Sequence, residues 1–339
     1  MRRITLIAAA MIVALAGAGA RADEPVPINI AWITVPIGLA PIFDAKKDVT
    51  KHYGKSYTLN AIHFAGSTPQ ITALASGDLD IAELSYSSFA IAIQNAHLDD
   101  LRMVADSLQD GIKPDSYSGP FVVMKDGPIK TIEDLKGKSI SVNVIGAGID
   151  IGMRAMLRRH GLEASRDYNV IEANFENQEQ FLTSGKVAMT TTVSDMVNDP
   201  DFVKLTRPLF ALRDAMGGPT QILMRAARAG DIAKKRAAFV DFFEDEIREW
   251  HWYLDPPNRA AALKIVSDFN KKPVALYQSY IWTLDKDLYR DPDDRPNVAA
   301  LQANVKTQKE AGFLNIDIDA AAHSDLSLVE EAAKRVNGK

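Results

Sequence analysis

The sequence predicts an α/β protein of two similar lobes, each a largely parallel sheet flanked by helices, with a helical C-terminal part. Three observations carry this reading. Short apolar strand patterns alternate with helical patterns from Ile28 to Met224, as in sheets whose strands are joined by crossover helices. One phrase occurs twice: Leu74-Ala-Ser-Gly77-Asp-Leu79 is echoed by Leu182-Thr-Ser-Gly185-Lys-Val187. From Asp231 onward the segments show apolar residues at helical spacing.

The chain opens with Arg2 and Arg3, an apolar run from Ile4 to Ala18, and the small-x-small signal Ala20-Arg21-Ala22. This predicts a signal peptide over residues 1–22, cleaved after Ala22. The apolar run is too short to span a bilayer, and a processing site follows it. Taking Arg2, Arg3 and Arg21 from the 39 basic residues, against 44 acidic ones, leaves a net charge of −8. An acidic exported protein suits neither nucleic acid nor an anionic membrane. There is no cysteine, which excludes a lipoprotein anchor, a thiol nucleophile, a zinc–thiolate site and any disulfide. Stability must come from an apolar core, which a chain of 339 residues can build. The expected product is a free, soluble, monomeric protein of the periplasm.

Strands are expected from Ile28 to Ile33 and from Tyr57 to His63, with a helix near Ala40 to Asp44 between them. Thr68 stands as an N-cap with Pro69 behind it, opening a short helix that Gly77 ends. Leu79 to Ala82 reads as a buried strand that opens into a polar loop, Ser85-Tyr86-Ser87-Ser88. A helix near Phe89 to Gln94 and strands at Leu101 to Ala105 and Pro120 to Met124 follow. Lys125-Asp126-Gly127-Pro128 is a sharp turn, taken as the first lobe boundary. Beyond it come the strand Ser139 to Val144, a glycine-bearing turn at Gly146-Ala147-Gly148, and a helix from Ile149 to Arg159. The strand Asn169 to Ala173 and the helix Asn177 to Ser184 lead to a second polar loop, Thr190 to Asp195. Pro219 to Met224 reads as a strand returning to the first lobe. The expected lobes are therefore residues 23–124 with 220–339, and 125–219. Five helices should follow, from Asp231 to Tyr253, Asn258 to Phe269, Pro273 to Ile281, Asn297 to Gly312 and Ser324 to Val336.

Loops that follow strands and open helices are where open α/β sheets hold ligands. The candidate ligand-binding residues are accordingly Trp32, Thr34 and Val35; Gly66, Ser67 and Thr68; Ser85, Tyr86 and Ser87; Gly146, Ala147 and Gly148; and Thr192 and Ser194. None of these loops carries Lys or Arg. An anionic head would meet neutral donors: the hydroxyls of Thr68, Ser85, Ser87, Thr192 and Ser194, and helix N-termini at Thr68 and Gly148. Trp32, Ile33, Val35 and Tyr86 would line the apolar remainder. Arg154 and Arg213 are the nearest cationic alternatives. Gly146-Ala-Gly148-Ile-Asp-Ile-Gly152 has a dinucleotide look, with Glu172 ending the next strand. Ile151 occupies the usual third glycine, so no cofactor is expected. The six histidines show no ligand spacing, Asp291, Asp293 and Asp294 lack the rest of a calcium loop, and no G-x-S-x-G elbow occurs; neither a metal nor catalytic residues are expected. Trp250 to Tyr253 reads as core and rim.

With these residues in view, the chain resembles the periplasmic substrate-binding proteins of the nitrate/sulfonate/taurine class of ABC importers. The resemblance lies in the loop at Phe64 to Gly66, in Ala73-Leu74-x-x-Gly77-x-Leu79-Asp80, in Lys125-Asp-Gly-Pro-Ile-Lys-Thr-Ile-Glu-Asp-Leu-Lys-Gly-Lys138, and in the turn at Gly146. It covers Ile28 to Asp195 and thins over the helical C-terminal part. It implies the two-lobed periplasmic binding protein fold of type II, with a hinge. It also implies capture of a small organic anion, a sulfonate or carboxylate, aromatic ones included, and delivery to an ABC permease in the inner membrane. Relatives often have an acidic residue where this chain has Ala188, and an aromatic-Asp-Pro loop where it has Thr192 to Asp195. Those departures bear on the ligand. Enzymes of similar fold, the thiamine-pyrimidine synthases and the aromatic desulfinase, rely on a cysteine that is missing here. An exported hydrolase or lyase on the same fold is the alternative from another class. A sensor that presents its bound face to a receptor kinase is a third.

Overall fold

The computed structural model describes residues 24–338, so the signal-peptide reading falls outside the described residues. Strand β1 (Val26–Trp32) lies parallel to β2 (Tyr57–His63), with a 3-10 turn at Ala40–Lys46 between them. Helix α1 (Gln70–Ser76), β3 (Ala82–Ser85), α2 (Tyr86–Ala96) and β4 (Leu101–Asp110) complete the first pass. The second lobe runs β5 (Pro120–Met124), β6 (Ser139–Val142), α3 (Gly148–Arg159), β7 (Asn169–Glu172), α4 (Phe175–Thr183), β8 (Met189–Thr191), α5 (Ser194–Val197), α6 (Pro200–Leu205), β9 (Thr206–Ala211) and α7 (Leu212–Met216). The chain returns through β10 (Thr220–Arg228). It then ends in α8 (Ala229–Leu254), α9 (Arg259–Asn270), α10 (Val274–Gln278), α11 (Val298–Glu310) and α12 (Ser327–Asn337).

The two sheets share one plan. The first runs β2-β1-β3-β10-β4, with β1 joined to the β3 segment by the parallel bridge of Ile30 to Ile81. The second runs β7-β6-β8-β5-β9. In each, four strands run parallel, and the antiparallel one (β10 or β5) is the strand that has just crossed from the other lobe. The sheets are thus largely parallel, as the alternation of patterns implied. The repeated phrase has a structural counterpart. Gly77 and Gly185 both end a helix at positive φ, +81° and +75°, and β3 and β8 then take the third position of their sheets.

Strand pairing moves one boundary. β5 pairs with β8 and β9, so it belongs to the second sheet. We therefore place the first crossing between Asp110 and Pro120, where the sequence put it at the turn beginning Lys125. Hydrophobic pattern alone cannot tell which sheet a short strand joins. The Thr68 cap also differs: α1 begins at Gln70 behind Pro69, with no side-chain cap bond. The polar stretch Ser85 to Ser88 is not a loop either. Ser85 is the N-cap of α2, its hydroxyl accepting from the Ser88 N–H at 3.2 Å, and the helix begins at Tyr86.

Helix α8 closes the first lobe. Phe239, Phe242, Phe243 and Ile247 pack on Ile28, Ile30 and Tyr57, with Leu328, Val329, Ala332 and Ala333 of α12 on the other side. Beneath the site lies a buried ionic network. Arg225 on β10, fully inaccessible, reaches Glu83 of β3 at 3.1 Å and Glu246 of α8 at 3.0 Å. Glu83 also accepts the Ile33 N–H at 2.9 Å and the Ser107 hydroxyl at 2.7 Å. The network thereby fixes the start of the loop after β1, which carries Thr34 and Val35.

Candidate functional site

The lobes meet along a seam of hydrogen bonds. The Gly148 N–H donates to Ser85 Oγ at 3.0 Å, Ser87 Oγ donates to the Gly146 carbonyl at 2.9 Å, and the Tyr86 hydroxyl donates to the Gly148 carbonyl at 2.6 Å. Gly66 lies so close to the second lobe that a Cβ there would stand 2.7 Å from Val144 Cγ2. Thr68 Oγ1 reaches across to the Ile145 carbonyl at 3.5 Å. At the far side of the cleft, Ser194 Oγ donates to Asp287 Oδ1 at 2.6 Å, and Asp195 pairs with Lys272. The lobes are therefore closed on each other.

Between these two seams lie two connected chambers that share Ile33, Thr34, Ile37, Leu108 and Phe175 among their walls. Ser67, Ser85, Ala147, Gly148 and Thr192 line the inner one. Trp32, Val35 and Ser194 line the outer one, and Thr34 faces both. Gly66, Thr68, Tyr86, Ser87 and Gly146 line neither; they build the seam. Sequence reasoning thus brought together two kinds of residue, chamber wall and contact between lobes, which only the fold distinguishes.

The hydroxyls are largely occupied. Ser67 Oγ bonds Ser85 Oγ at 3.0 Å and Ser88 Oγ at 2.8 Å, and Thr192 Oγ1 donates to the Pro120 carbonyl at 2.6 Å. The head of α3 is covered too. Asp150 accepts the Gly146 N–H at 2.8 Å and pairs with Arg154 at 2.7 Å, while burial pushes its carboxyl above the usual range. Glu172 accepts the Ile145 N–H at 2.6 Å, so it ties the glycine turn to β7. Neither Arg154 nor Arg213 lines a chamber, and the Arg213 guanidinium donates to the carbonyls of Pro114 and Ser116.

The unpartnered polar atoms are elsewhere. In the inner chamber they are Asp110 Oδ1, the Tyr117 hydroxyl and Asn143 Oδ1; in the outer one, the indole N–H groups of Trp250 and Trp282. Those two rings meet edge-on at 5.8 Å. Lys272 and Arg290 also line the outer chamber, each already ion-paired. Of these residues the sequence singled out Trp250 alone, as core and rim. Asp110 lies at the end of a strand and Tyr117 in the crossing segment. Trp250 looked like core because it shares a helix face with Tyr253, and it does pack in the cluster of Leu39, Ile42 and Ile281. Among the described residues no cluster of metal-ligating side chains occurs, and no helix is long and apolar enough to cross a membrane.

Residues 57–197 match the family model described as the periplasmic substrate-binding protein of phosphonate ABC transporters. The fold is similar to that of the alkanesulfonate-binding protein SsuA of Xanthomonas axonopodis pv. citri, solved bound to MOPS. The two are 14% identical, over 89% of this chain and 99% of that one, with a TM-score of 0.67. It is similar as well to the nitrate-binding protein NrtA of Synechocystis PCC 6803, at 13% identity over 93% and 90%, with a TM-score of 0.68. A third likeness is to the aliphatic sulphonate binding protein SsuA of Escherichia coli, at 16% identity over 89% and 92%, with a TM-score of 0.60. At such identities these structures speak for the fold. The chain thus matches a substrate-binding family model over its central part and shares the periplasmic binding protein fold along its described length.

Proposed function

We propose that the protein is the periplasmic solute-binding component of an ABC importer. In this reading it captures a small organic anion with an apolar body, a sulfonate or carboxylate, between its lobes and hands it to an inner-membrane permease. The observation that supports the reading is the closed cleft: two connected chambers, mainly apolar, bounded by seams that both lobes contribute. Hinge closure around a ligand is the usual behaviour of such bilobal proteins. The acid head best suits the outer chamber, where the neutral indole donors of Trp250 and Trp282 stand free beside Lys272. Donors held rigidly in a dry site bind an anion without paying for reorganisation. The protein acts as a monomer, exported through residues 1–22.

A thermal-shift screen of sulfonates, aromatic carboxylates, nitrate and pyrimidines tests this. A ligand at about a hundredfold above its Kd should add roughly 2.7 kcal/mol of stability. Silence from every acid would sink the anion reading. Chemical turnover of a bound compound would replace a binding protein by a hydrolase or lyase.

A further inference from the structure

The inner chamber holds a feature that an anion alone does not explain. Asp110, the last residue of β4, is fully inaccessible to solvent. Its Oδ2 accepts the Gly119 N–H at 2.8 Å, and its Oδ1 has no partner. Tyr117 lines the same chamber, and its buried hydroxyl is directed toward Ser194. The surrounding wall is apolar, with Leu108, Phe121, Leu212 and Ile222. A buried carboxylate oxygen that has lost its water and gained no donor is costly, and an ionised carboxylate can only accept. The nearby cation is not hydrogen-bonded to it: the terminal nitrogens of Arg213 donate to the carbonyls of Pro114 and Ser116, and its Nε is without a partner.

We propose that Asp110 is a specificity-determining residue that requires a hydrogen-bond donor at the inner end of the ligand. The ligand class is then an apolar ring or chain ending in an amine, amino-heterocycle, phenol or alcohol. Any acid group lies at the opposite end, by Trp250 and Trp282. The inference rests on the reading of a solute site between the lobes, and it deepens that reading by fixing the chemistry of the end that lies against Asp110.

Burial raises the Asp110 carboxyl to about 6, opposed by the Gly119 N–H, Ser118 and Arg213 and aided by Asp214. Tyr86 and Tyr117, which feel its charge, are both pushed upward by burial and stay neutral. Asp110 is thus an acceptor near neutrality and becomes protonated in mild acid. A donor on the ligand is favoured in the first condition and loses its advantage in the second.

The test is calorimetry on the full mature protein with matched probes: benzenesulfonate against its para- and meta-hydroxy forms, and toluene against benzylamine. The sulfonate stays charged throughout, so a change in the ratio of affinities reports Asp110. A hydrogen bond to a buried carboxylate should favour the better hydroxyl probe over its parent by about tenfold or more. That ratio should shrink on going from about pH 7.5 to about pH 5, across the Asp110 titration. Asp110→Asn keeps an acceptor for the Gly119 N–H and should leave the ratio low and flat with pH; an unchanged melting transition shows that it folds. If the acids fail while benzylamine binds and toluene does not, the anion reading falls and this inference stands. The inference is overturned if the parent binds as well as its donor-bearing form, or if Asp110→Asn leaves the ratio unchanged. It is equally overturned if no donor-bearing probe binds the native protein.

Discussion

Gly148, at the head of α3 in the second lobe, donates its backbone N–H to the Ser85 hydroxyl that caps α2 in the first, at 3.0 Å. One cap thereby serves two helices. Ser85 satisfies an N–H of its own helix and joins the opposing one, so closure and local helix geometry share an atom.

Replacing Gly148 by alanine should prop the lobes apart. The new Cβ would stand 3.0 Å from Ser85 Cβ and 3.0 Å from Tyr86 Cε1, both part of a buried seam. Gly66→Ala should act likewise through Val144 Cγ2 at 2.7 Å. Each variant should weaken ligand affinity by about tenfold, because the competent closed state becomes rarer. Small-angle scattering at saturating ligand should give a larger radius of gyration than the parent's. An unchanged radius with unchanged affinity would show that the seam yields without opening.

Arg225→Met should be strongly destabilising although methionine suits an apolar site. The change strands Glu83 and leaves Glu246 with Arg290 alone, at 3.3 Å; both carboxylates are fully buried. Breaking a buried pair from one side costs about 3–5 kcal/mol. Urea denaturation should show that loss, and Arg225→Met with Glu83→Gln should recover part of it. Because Glu83 also holds the Ile33 N–H, Glu83→Gln should lower ligand affinity more than stability.

Asp245 gathers four donors: the backbone N–H groups of Lys51, His52 and Tyr53 at 2.6, 2.9 and 2.9 Å, and the Tyr57 hydroxyl at 3.0 Å. Asp245→Asn turns one acceptor into a donor facing donors. The expected cost is about 2–3 kcal/mol, read as a lower denaturation midpoint with an unchanged slope. Tyr57→Phe should cost less, since it removes one donor and leaves the carboxylate with three.

Glu249 should make the protein less stable in alkaline than in mildly acidic buffer. Burial, with Glu246 and Asp245 close by, holds its carboxyl well above the usual range, and both oxygens lack partners. The folded state therefore keeps a proton that the unfolded state has released. Stability contributed by the neutral form is full below the unfolded pKa and falls as pH rises above it, by about 1.4 kcal/mol per pH unit for one proton. Glu249→Gln should flatten the stability profile above about pH 5 and raise stability near neutrality. A mutant profile parallel to the parent's would mean that Glu249 is ionised in the fold.

The general outline was legible because local rules wrote it. Period-two and helical patterns gave the alternation, Gly77 and Gly185 sat where helices end in the left-handed region, and the repeated phrase marked two equivalent units. Side-chain identity also gave Trp32, Thr34 and Val35 as walls, since a loop after the first strand faces the cleft in this architecture. The Thr68 cap failed because Pro69 and Gln70 already set the turn, and the Ser85 stretch became helix because its own serine caps it.

By itself the sequence determined the α/β class, the two similar lobes and the neutral character of the loops between them, all of which follow from spacing along the chain. Tertiary structure alone decided which sheet β5 joins, which hydroxyls are spent on the seam between lobes, and which polar atoms are left over. Asp110, Tyr117, Trp250 and Trp282 are separated by up to 172 residues and carry no shared motif. Asp110, Trp250 and Trp282 all stand on the first lobe, with Tyr117 in the crossing segment, and they face one cleft because the C-terminal helices pack on that lobe's sheet. Partnership of a buried polar atom is a property of three-dimensional packing, so no pattern along the chain could have marked them.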